Sequence, residues 1–168
     1  MYGSIAKSNK LRDKKINLAS LLDGASVIAC NNEHFGKAEN ILAPGKAKNM
    51  GDGWETRRRR EPGHDWIIIK LATKGLIKKI EIDTAHFKGN YPDQASIQIS
   101  NFDKEKNLEE IINGSQNWKY VLNKTKLQAD KIHNYEIDDK TTQEVTHVRL
   151  NIYPDGGVSR LRIFGLKL

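Results

Sequence analysis

The sequence predicts an all-β domain, an antiparallel β-sandwich or jelly roll with few short helices. In several short segments apolar residues alternate with polar ones, which is the pattern of a strand with one buried face. Clusters of glycine, proline and asparagine separate these segments. Helical periodicity is confined to two short stretches. Many short strands divided by turn signals are typical of sandwiches and jelly rolls.

The predicted strands follow one another along most of the chain. Residues 66–71 are almost continuously apolar and predict a strand buried on both faces. We expect Gly75 to break the chain before a second strand, in which Ile80 and Ile82 alternate with charged neighbours. Further alternating segments lie at 97–99, 148–152 and 161–163.

Two segments carry helical signals. Residues 37–42 predict one or two helical turns, and residues 107–112 predict a short helix that Asn113-Gly114 ends. We expect residues 1–15 to be a linker or flexible arm and residues 16–168 to form one domain.

The composition fits a soluble globular domain of 168 residues. Cys30 is the only cysteine, which excludes an internal disulfide and predicts a reducing, cytoplasmic location. No apolar stretch approaches the ~20 residues that a membrane helix needs. The N-terminal residues lack the apolar core of a secretory signal.

The formal net charge of +7 is compatible with three kinds of partner: nucleic acid, a membrane surface or a small anion. No nucleic-acid-binding motif is present, and the basic residues are not interleaved with aromatic ones. We therefore expect a small-molecule partner, and neither nucleic acid nor a membrane. A solvated surface of scattered lysines is the alternative explanation of the charge.

The densest polar block spans residues 50–66. Its arginines suit planar carboxylates, which guanidinium groups bind through paired hydrogen bonds. Arg57 and Arg59 share one face if the segment is extended. The alternative is a solvated basic edge strand in which Asp52 and Glu55 are local ion-pair partners.

Two further polar blocks lie at the ends of predicted strands. Residues 83–92 include His86, which either moves protons near neutral pH or is held by a local hydrogen bond. Residues 153–162 contain Asp155 and Arg160. These two side chains either bracket a ligand at the mouth of the sandwich or belong to the hairpin turn that Asp-Gly favours.

Several common site motifs are absent. The chain has no Walker loop, no dinucleotide-binding fingerprint and no pair of cysteines spaced for metal or redox chemistry. Its five histidines form no compact metal motif, so a metal site depends on folding to gather them. A divalent metal requirement is left open, with Mn²⁺ as the candidate, and no other cofactor is indicated.

Taken together, the three blocks resemble the allantoicase family. The matching blocks are long, in the family's order and correctly spaced: residues 49–60 with 63–66, then 83–92, then 149–162. The resemblance as a whole covers about residues 17–165. The resemblance implies a jelly roll similar to galactose-binding and discoidin domains. It also implies hydrolysis of allantoate to ureidoglycolate and urea in purine (allantoin) degradation.

Members of that family usually carry two such repeats. Residues 33–36 and 43–46 resemble the second repeat more than the first. This resemblance implies a homo-oligomer, or a partner chain that supplies the first repeat, to complete the site.

The chemistry of allantoate suggests roles for residues in these blocks, as hypotheses. The substrate carboxylate is expected to bind arginine, with Arg57, Arg59 and Arg160 as candidates. Water activation and protonation of the departing urea nitrogen need a carboxylate or histidine; the candidates are Asp52, Glu55, His64 and His86. The ureido groups are expected to bind Asn90 and the backbone near Gly156, and Asp155 completes the substrate-binding set.

The main alternative is a non-catalytic jelly-roll module that binds a carbohydrate or another ligand, because a fold does not fix a function. The density of arginine, histidine and aspartate in the matched blocks favours the hydrolase. A nucleic-acid binder rests on charge alone.

Overall fold

The computed structural model describes residues 14–168 and shows antiparallel β-structure with one α-helix, so the predicted all-β class is confirmed. Helix α1 (Leu108–Ser115) lies between the fifth and sixth strands, and three 3₁₀ turns occupy Leu21–Asp23, Ala38–Leu42 and Met50–Asp52. The strands are β1 (Ile16–Asn17), β2 (Ser26–Cys30), β3 (Trp54–Glu55), β4 (Asp65–Asp83), β5 (Gln94–Ser100), β6 (Lys119–Lys126), β7 (Ile132–Glu136), β8 (Glu144–Tyr153), β9 (Gly157–Val158) and β10 (Arg160–Lys167).

The longest strand, β4, connects the two layers of the sandwich. Its first part pairs with β2 and β8, and its second part pairs with β10 and β7. The strand order is β1-β10-β4-β8-β5-β6. The pairing of β4 with β8 shifts register between Lys70 and Gly75. One strand therefore carries the backbone from one layer into the other.

The prediction that Gly75 breaks the chain is wrong. Strand β4 continues through this residue without interruption. The glycine instead allows Leu166 and Leu18 to lie close to β4. A Cβ atom at this position would lie 2.7 Å from the carbonyl oxygen of Leu166 and 2.8 Å from Cδ1 of Leu18. The missing side chain lets two other segments pack against β4 where its partners change.

The interior is one cluster of buried apolar side chains. Side-chain alternation sends Ile67 and Ile69 of β4 into this core, together with Leu150 of β8. The other layer contributes Ile80, Ile82, Leu161 and Ile163. The alternating segments found in the sequence are thus the strands that build the core.

The other side of the β4, β8 and β5 layer is polar, and we call it the outer face: Trp66, Ser96, Gln98, Arg149, Asn151 and Tyr153. These residues alternate along their strands with core residues. Cross-strand pairing sets Trp66 opposite Asn151 and Gln98 opposite Arg149. Helix α1 approaches this face, because Ser115 Oγ accepts a hydrogen bond from Arg149 Nη1 at 2.6 Å.

Helix α1 begins as predicted but ends later. The side chain of Asn107 caps it by accepting a hydrogen bond from the backbone N–H of Glu110 at 2.9 Å. The helix continues through Gly114, so the prediction that Asn113-Gly114 ends it is wrong. The buried contact of Ser115 with Arg149 holds the last turn in place.

The predicted helical turns at 37–42 are confirmed as the 3₁₀ segment Ala38–Leu42. Residues 1–13, which contain most of the predicted linker, lie outside the described residues. In the part of the chain that is described, no helix has the length and apolar character needed to cross a membrane.

We expect Gly75→Ala to lower the free energy of unfolding by about 2 kcal/mol or more, because the new methyl group meets a backbone oxygen. Gly114→Ala is the matched control. It adds the same group inside α1 with no atom within 4 Å, and should raise stability by about 0.5–1 kcal/mol. Urea unfolding curves measure both, and a Gly75→Ala protein as stable as the wild type would contradict the close approach.

Candidate functional site

The three polar blocks meet at one end of the sandwich. Strand β3 pairs with β9, which sets Glu55 opposite Gly157. The backbone N–H of Gly157 donates to the carbonyl oxygen of Asn90 at 2.8 Å, and the N–H of Thr56 donates to that of Gly156 at 3.0 Å. Segments far apart in sequence are therefore bound directly to one another by their backbones.

A cavity of about 410 Å³ lies beside this junction. We call it the arginine cavity, after the residues that line it: Asn32, Arg57, Arg58, Arg59, Arg60, Glu61 and Asp65. The side chains of Arg57, Arg58 and Arg60 are exposed, and no hydrogen bond or ion pair ties their guanidinium groups to any described residue. Three residues with free guanidinium groups thus line one cavity.

Asp65, the first residue of β4, is the buried residue in the lining of the arginine cavity, and its side chain is 1% exposed. Its Oδ1 accepts hydrogen bonds from Arg59 Nη1 at 2.7 Å and from Asn31 Nδ2 at 3.1 Å. Its Oδ2 is buried without a partner, and so is Nε of Arg59. Buried polar atoms are normally satisfied, so this ion pair retains hydrogen-bonding capacity beside the cavity.

The backbone of the arginine block is held from two sides. The N–H of Arg59 donates to Asp155 Oδ2 at 2.8 Å, and the N–H of Arg57 donates to Asn32 Oδ1 at 2.9 Å. Asp155 therefore contacts the backbone of the arginine block, and its substrate-binding role stays a prediction. Arg57 and Arg59 line the same cavity, but Arg59 turns inward to Asp65 while Arg57 stays exposed.

Arg160 is placed away from this cavity, in the framework of the loop at residues 40–53. Its guanidinium is buried and donates to the carbonyl oxygens of Asn40, Gly45, Asp52 and Ser159 and to the carboxylate of Asp52 at 2.9 Å. The backbone N–H of Lys48 and then Arg160 hold the pKa of Asp52 below its usual range. The structure thus gives Arg160 and Asp52 protein partners, where the sequence suggested substrate binding and proton transfer.

His86 belongs to the same framework. Its Nε2 lies 2.8 Å from the carbonyl oxygen of Ala47. Because a carbonyl oxygen can only accept, Nε2 is the hydrogen-bond donor. Its backbone N–H donates to Asp130 Oδ1 at 2.8 Å, and its φ of 75° is in the left-handed region. The ring therefore ties the turn after β4 to the loop that Arg160 holds.

Glu55 and Asn90 are brought together at this end of the sandwich. Asn90 Nδ2 donates to Glu55 Oε2. The carbonyl oxygen of Glu55 accepts from the N–H groups of His34 and Phe35. Both predicted site residues retain some exposure to solvent.

His64 points to the outer face. Its Nε2 lies 3.0 Å from Asn151 Oδ1, and its ring centroid lies 4.5 Å from that of Tyr153. Successive side chains of a strand point to opposite faces, so His64 and Asp65 diverge. Burial lowers the pKa of His64, and the nearby Arg149, Lys124 and Arg59 lower it further. The four candidates for proton transfer thus occupy three different environments.

The sequence reasoning does not single out five residues at or beside the cavity: Asn31, Asn32, Arg58, Arg60 and Asp65. Arg58, Arg60 and Asp65 lie within the densest polar block but receive no role from the sequence. The signal for Asp65 is a charged residue directly before a continuous apolar strand, where an unpaired carboxylate would be costly. The two asparagines follow β2 and carry no comparable signal.

Within residues 14–168 no group of three or more histidine, cysteine, aspartate or glutamate side chains is arranged to hold a metal ion. The Mn²⁺ requirement therefore stays a prediction that these residues neither support nor test.

Comparison with known families decides the relationship. The family model described as Allantoicase repeat matches residues 16–168. The chain belongs to the allantoicase family.

Two curated relatives illustrate how strong the match is. The chain is 53% identical over 154 residues to "Probable allantoicase 1" of Burkholderia mallei. The aligned region covers 92% of this chain and 45% of that protein. It is 50% identical over 170 residues to "Probable allantoicase" of Rhizobium meliloti, covering 98% of this chain and 49% of that protein. The chain therefore spans about half the length of these allantoicase relatives.

The solved structures agree. The crystal structure of allantoicase from Saccharomyces cerevisiae matches 92% of this chain and 45% of its own, with a TM-score of 0.77 and 38% identity. A family 32 carbohydrate-binding module of Streptococcus pneumoniae EndoD shares the fold alone, with a TM-score of 0.60 and 14% identity over 89% of this chain and 99% of its own. The predicted galactose-binding-like jelly roll of an allantoicase repeat is confirmed.

We expect Asp65→Asn to lower the free energy of unfolding by about 2–4 kcal/mol, because it leaves the half-buried Arg59 guanidinium without its buried counter-charge. Glu61→Gln is the matched control. It removes the other carboxylate near Arg59, which lies at 3.6 Å and is exposed, so the loss of stability should be much smaller than for Asp65→Asn. Thermal and urea unfolding compare the two, and equal losses would show that burial of Asp65 does not anchor the arginine block.

Proposed function

We propose that this chain acts in the hydrolysis of allantoate to ureidoglycolate and urea, a step of purine degradation, and that the arginine cavity binds the substrate carboxylate. The observation that carries the proposal is the set of three unpaired guanidinium groups, from Arg57, Arg58 and Arg60, around one cavity. Guanidinium forks match the geometry of a carboxylate. The allantoicase names of the relatives support this substrate class.

Asp65 and Arg59 position the arginine block in this proposal. Oδ2 of Asp65 and Nε of Arg59 are enclosed by protein, so the ion pair does not contact the substrate. It holds the backbone from which Arg57, Arg58 and Arg60 extend beside the cavity.

Hydrolysis breaks the bond between the central carbon of allantoate and one ureido nitrogen. Water supplies the new hydroxyl group on that carbon, and the departing nitrogen takes up a proton. Glu55 is our candidate for proton transfer, because it lies at the same end of the sandwich with part of its surface exposed. His64 takes no part in this step, because its ring contacts Asn151 and Tyr153 on the outer face. We assign Asp52, His86 and Arg160 to holding the loops.

Three further points belong to this proposal. Because the chain spans about half of each relative, we propose that a second copy or a first-repeat partner chain works beside it. The lone Cys30 supports a cytoplasmic location. A carbohydrate-binding role is less favoured, because no aromatic side chain lines the arginine cavity for a sugar ring to stack on.

We expect the purified chain to bind allantoate and Arg57→Ala to weaken that binding about tenfold or more, because a charged hydrogen-bond donor is lost. Lys119→Ala, which removes an exposed charge from β6, should bind as the wild type does. Isothermal titration gives both affinities. Unchanged binding by Arg57→Ala would overturn the assignment of the cavity.

Urea release from allantoate tests the reaction itself. It is measured with the chain alone, with added Mn²⁺, and after treatment with a chelator. Turnover supports the hydrolase, and a difference between the metal arms assigns or excludes a cation. Binding of allantoate without turnover in any arm would contradict hydrolysis by this chain alone and indicate that a partner repeat is required.

A further inference from the structure

Arg149 is a buried cation without a carboxylate partner. Its side chain is 6% exposed on the outer face. Nε donates to Asn151 Oδ1 at 2.8 Å and Nη1 donates to Ser115 Oγ at 2.6 Å. No aspartate or glutamate among residues 14–168 forms an ion pair with it. Buried charges in proteins are normally paired, so the positive charge of Arg149 lacks its usual compensation.

The neighbouring groups are neutral or positive. The guanidinium carbon of Arg149 lies 4.8 Å from the ring centroid of Trp66, and the ammonium of Lys124 lies 4.2 Å from that of Tyr153. Burial lowers the pKa of Arg149, and the groups that oppose this shift are the phenols of Tyr120 and Tyr153, so no carboxylate is among them. Burial lowers the pKa of His64, and the positive charges of Arg149, Lys124 and Arg59 lower it further.

The polar network around Arg149 is otherwise closed. Asn151 Nδ2 donates to Ser96 Oγ at 3.2 Å and to Gln98 Oε1 at 2.9 Å, so its amide has no spare hydrogen. Nη2 of Arg149 donates to no described residue, yet it is not among the fully enclosed unpaired atoms. This cationic donor is therefore unpaired and is not fully enclosed by the protein.

We propose that the outer face binds the carboxylate of a small organic acid at Arg149, with the guanidinium stacked on Trp66 and Nη2 donating to the anion. The small exposed fraction of Arg149 suits a small group better than a protein surface. The carboxylate supplies the missing charge and the missing acceptor together. This site is separate from the arginine cavity, because Trp66 and Asp65 point to opposite faces of β4, and the inference does not depend on the hydrolysis of allantoate.

The test uses acetate and its neutral analogue acetamide at constant ionic strength. The protein is the Arg57→Ala/Arg58→Ala/Arg60→Ala variant, in which the arginine cavity has lost its free guanidinium groups. Proton–nitrogen NMR follows the Nε–H signal of Arg149 and the indole N–H signal of Trp66. We expect a saturable shift of both signals with acetate and none with acetamide. No saturation with acetate, or the same shifts with acetamide, would overturn the proposal.

Two further measurements separate the remaining explanations. Arg149→Met should weaken the acetate affinity reported by the Trp66 signal about tenfold or more, because the charged donors are gone. An unchanged affinity would overturn the proposed site. If this variant fails to fold, the comparison of acetate with acetamide decides whether the site exists. Dilution without acetate tests a carboxylate from a second copy. Shifts of Arg149 that depend on protein concentration would assign the site to self-association and overturn a small-acid ligand.

Discussion

The buried ion pair between Asp65 and Arg59 is the contact on which the candidate site depends. Asp65 begins β4, the strand that passes through both layers, so its position is fixed by the whole sandwich. A carboxylate that is 1% exposed is costly without a counter-charge. Arg59 supplies that charge, and the arginine block must therefore return to β4. The exposed arginines on either side are placed around the cavity as a consequence.

Side-chain alternation along β4 then divides the functional groups between two surfaces. His64 and Trp66 face outward, while Asp65 faces the arginine cavity. A motif that is compact in sequence therefore serves two faces of the sheet. The same rule gives the outer face its polar network around Arg149, because the core residues of β8 occupy the alternate positions.

Much of the fold could be predicted, because strand periodicity is a local property: Ile80 with Ile82, and the segment 148–152, carry their own pattern. The prediction for Gly75 is wrong because the sequence does not distinguish a glycine that forms a turn from one that permits a close contact. Here the contact is with a carbonyl oxygen some ninety residues later in the chain. The dense arginines of the block at 57–60 indicated where to look for a candidate site. The role of each individual arginine could not be predicted from the sequence. Arg160, for example, donates its hydrogen bonds to carbonyl groups of residues 40–52, which only folding brings close to it.

The crystal structure of this chain with allantoate bound is the most direct test of the central claim. The account predicts that the substrate carboxylate lies between the guanidinium groups of Arg57, Arg58 and Arg60. Allantoate bound only elsewhere on the chain, with the arginine cavity empty, would contradict it.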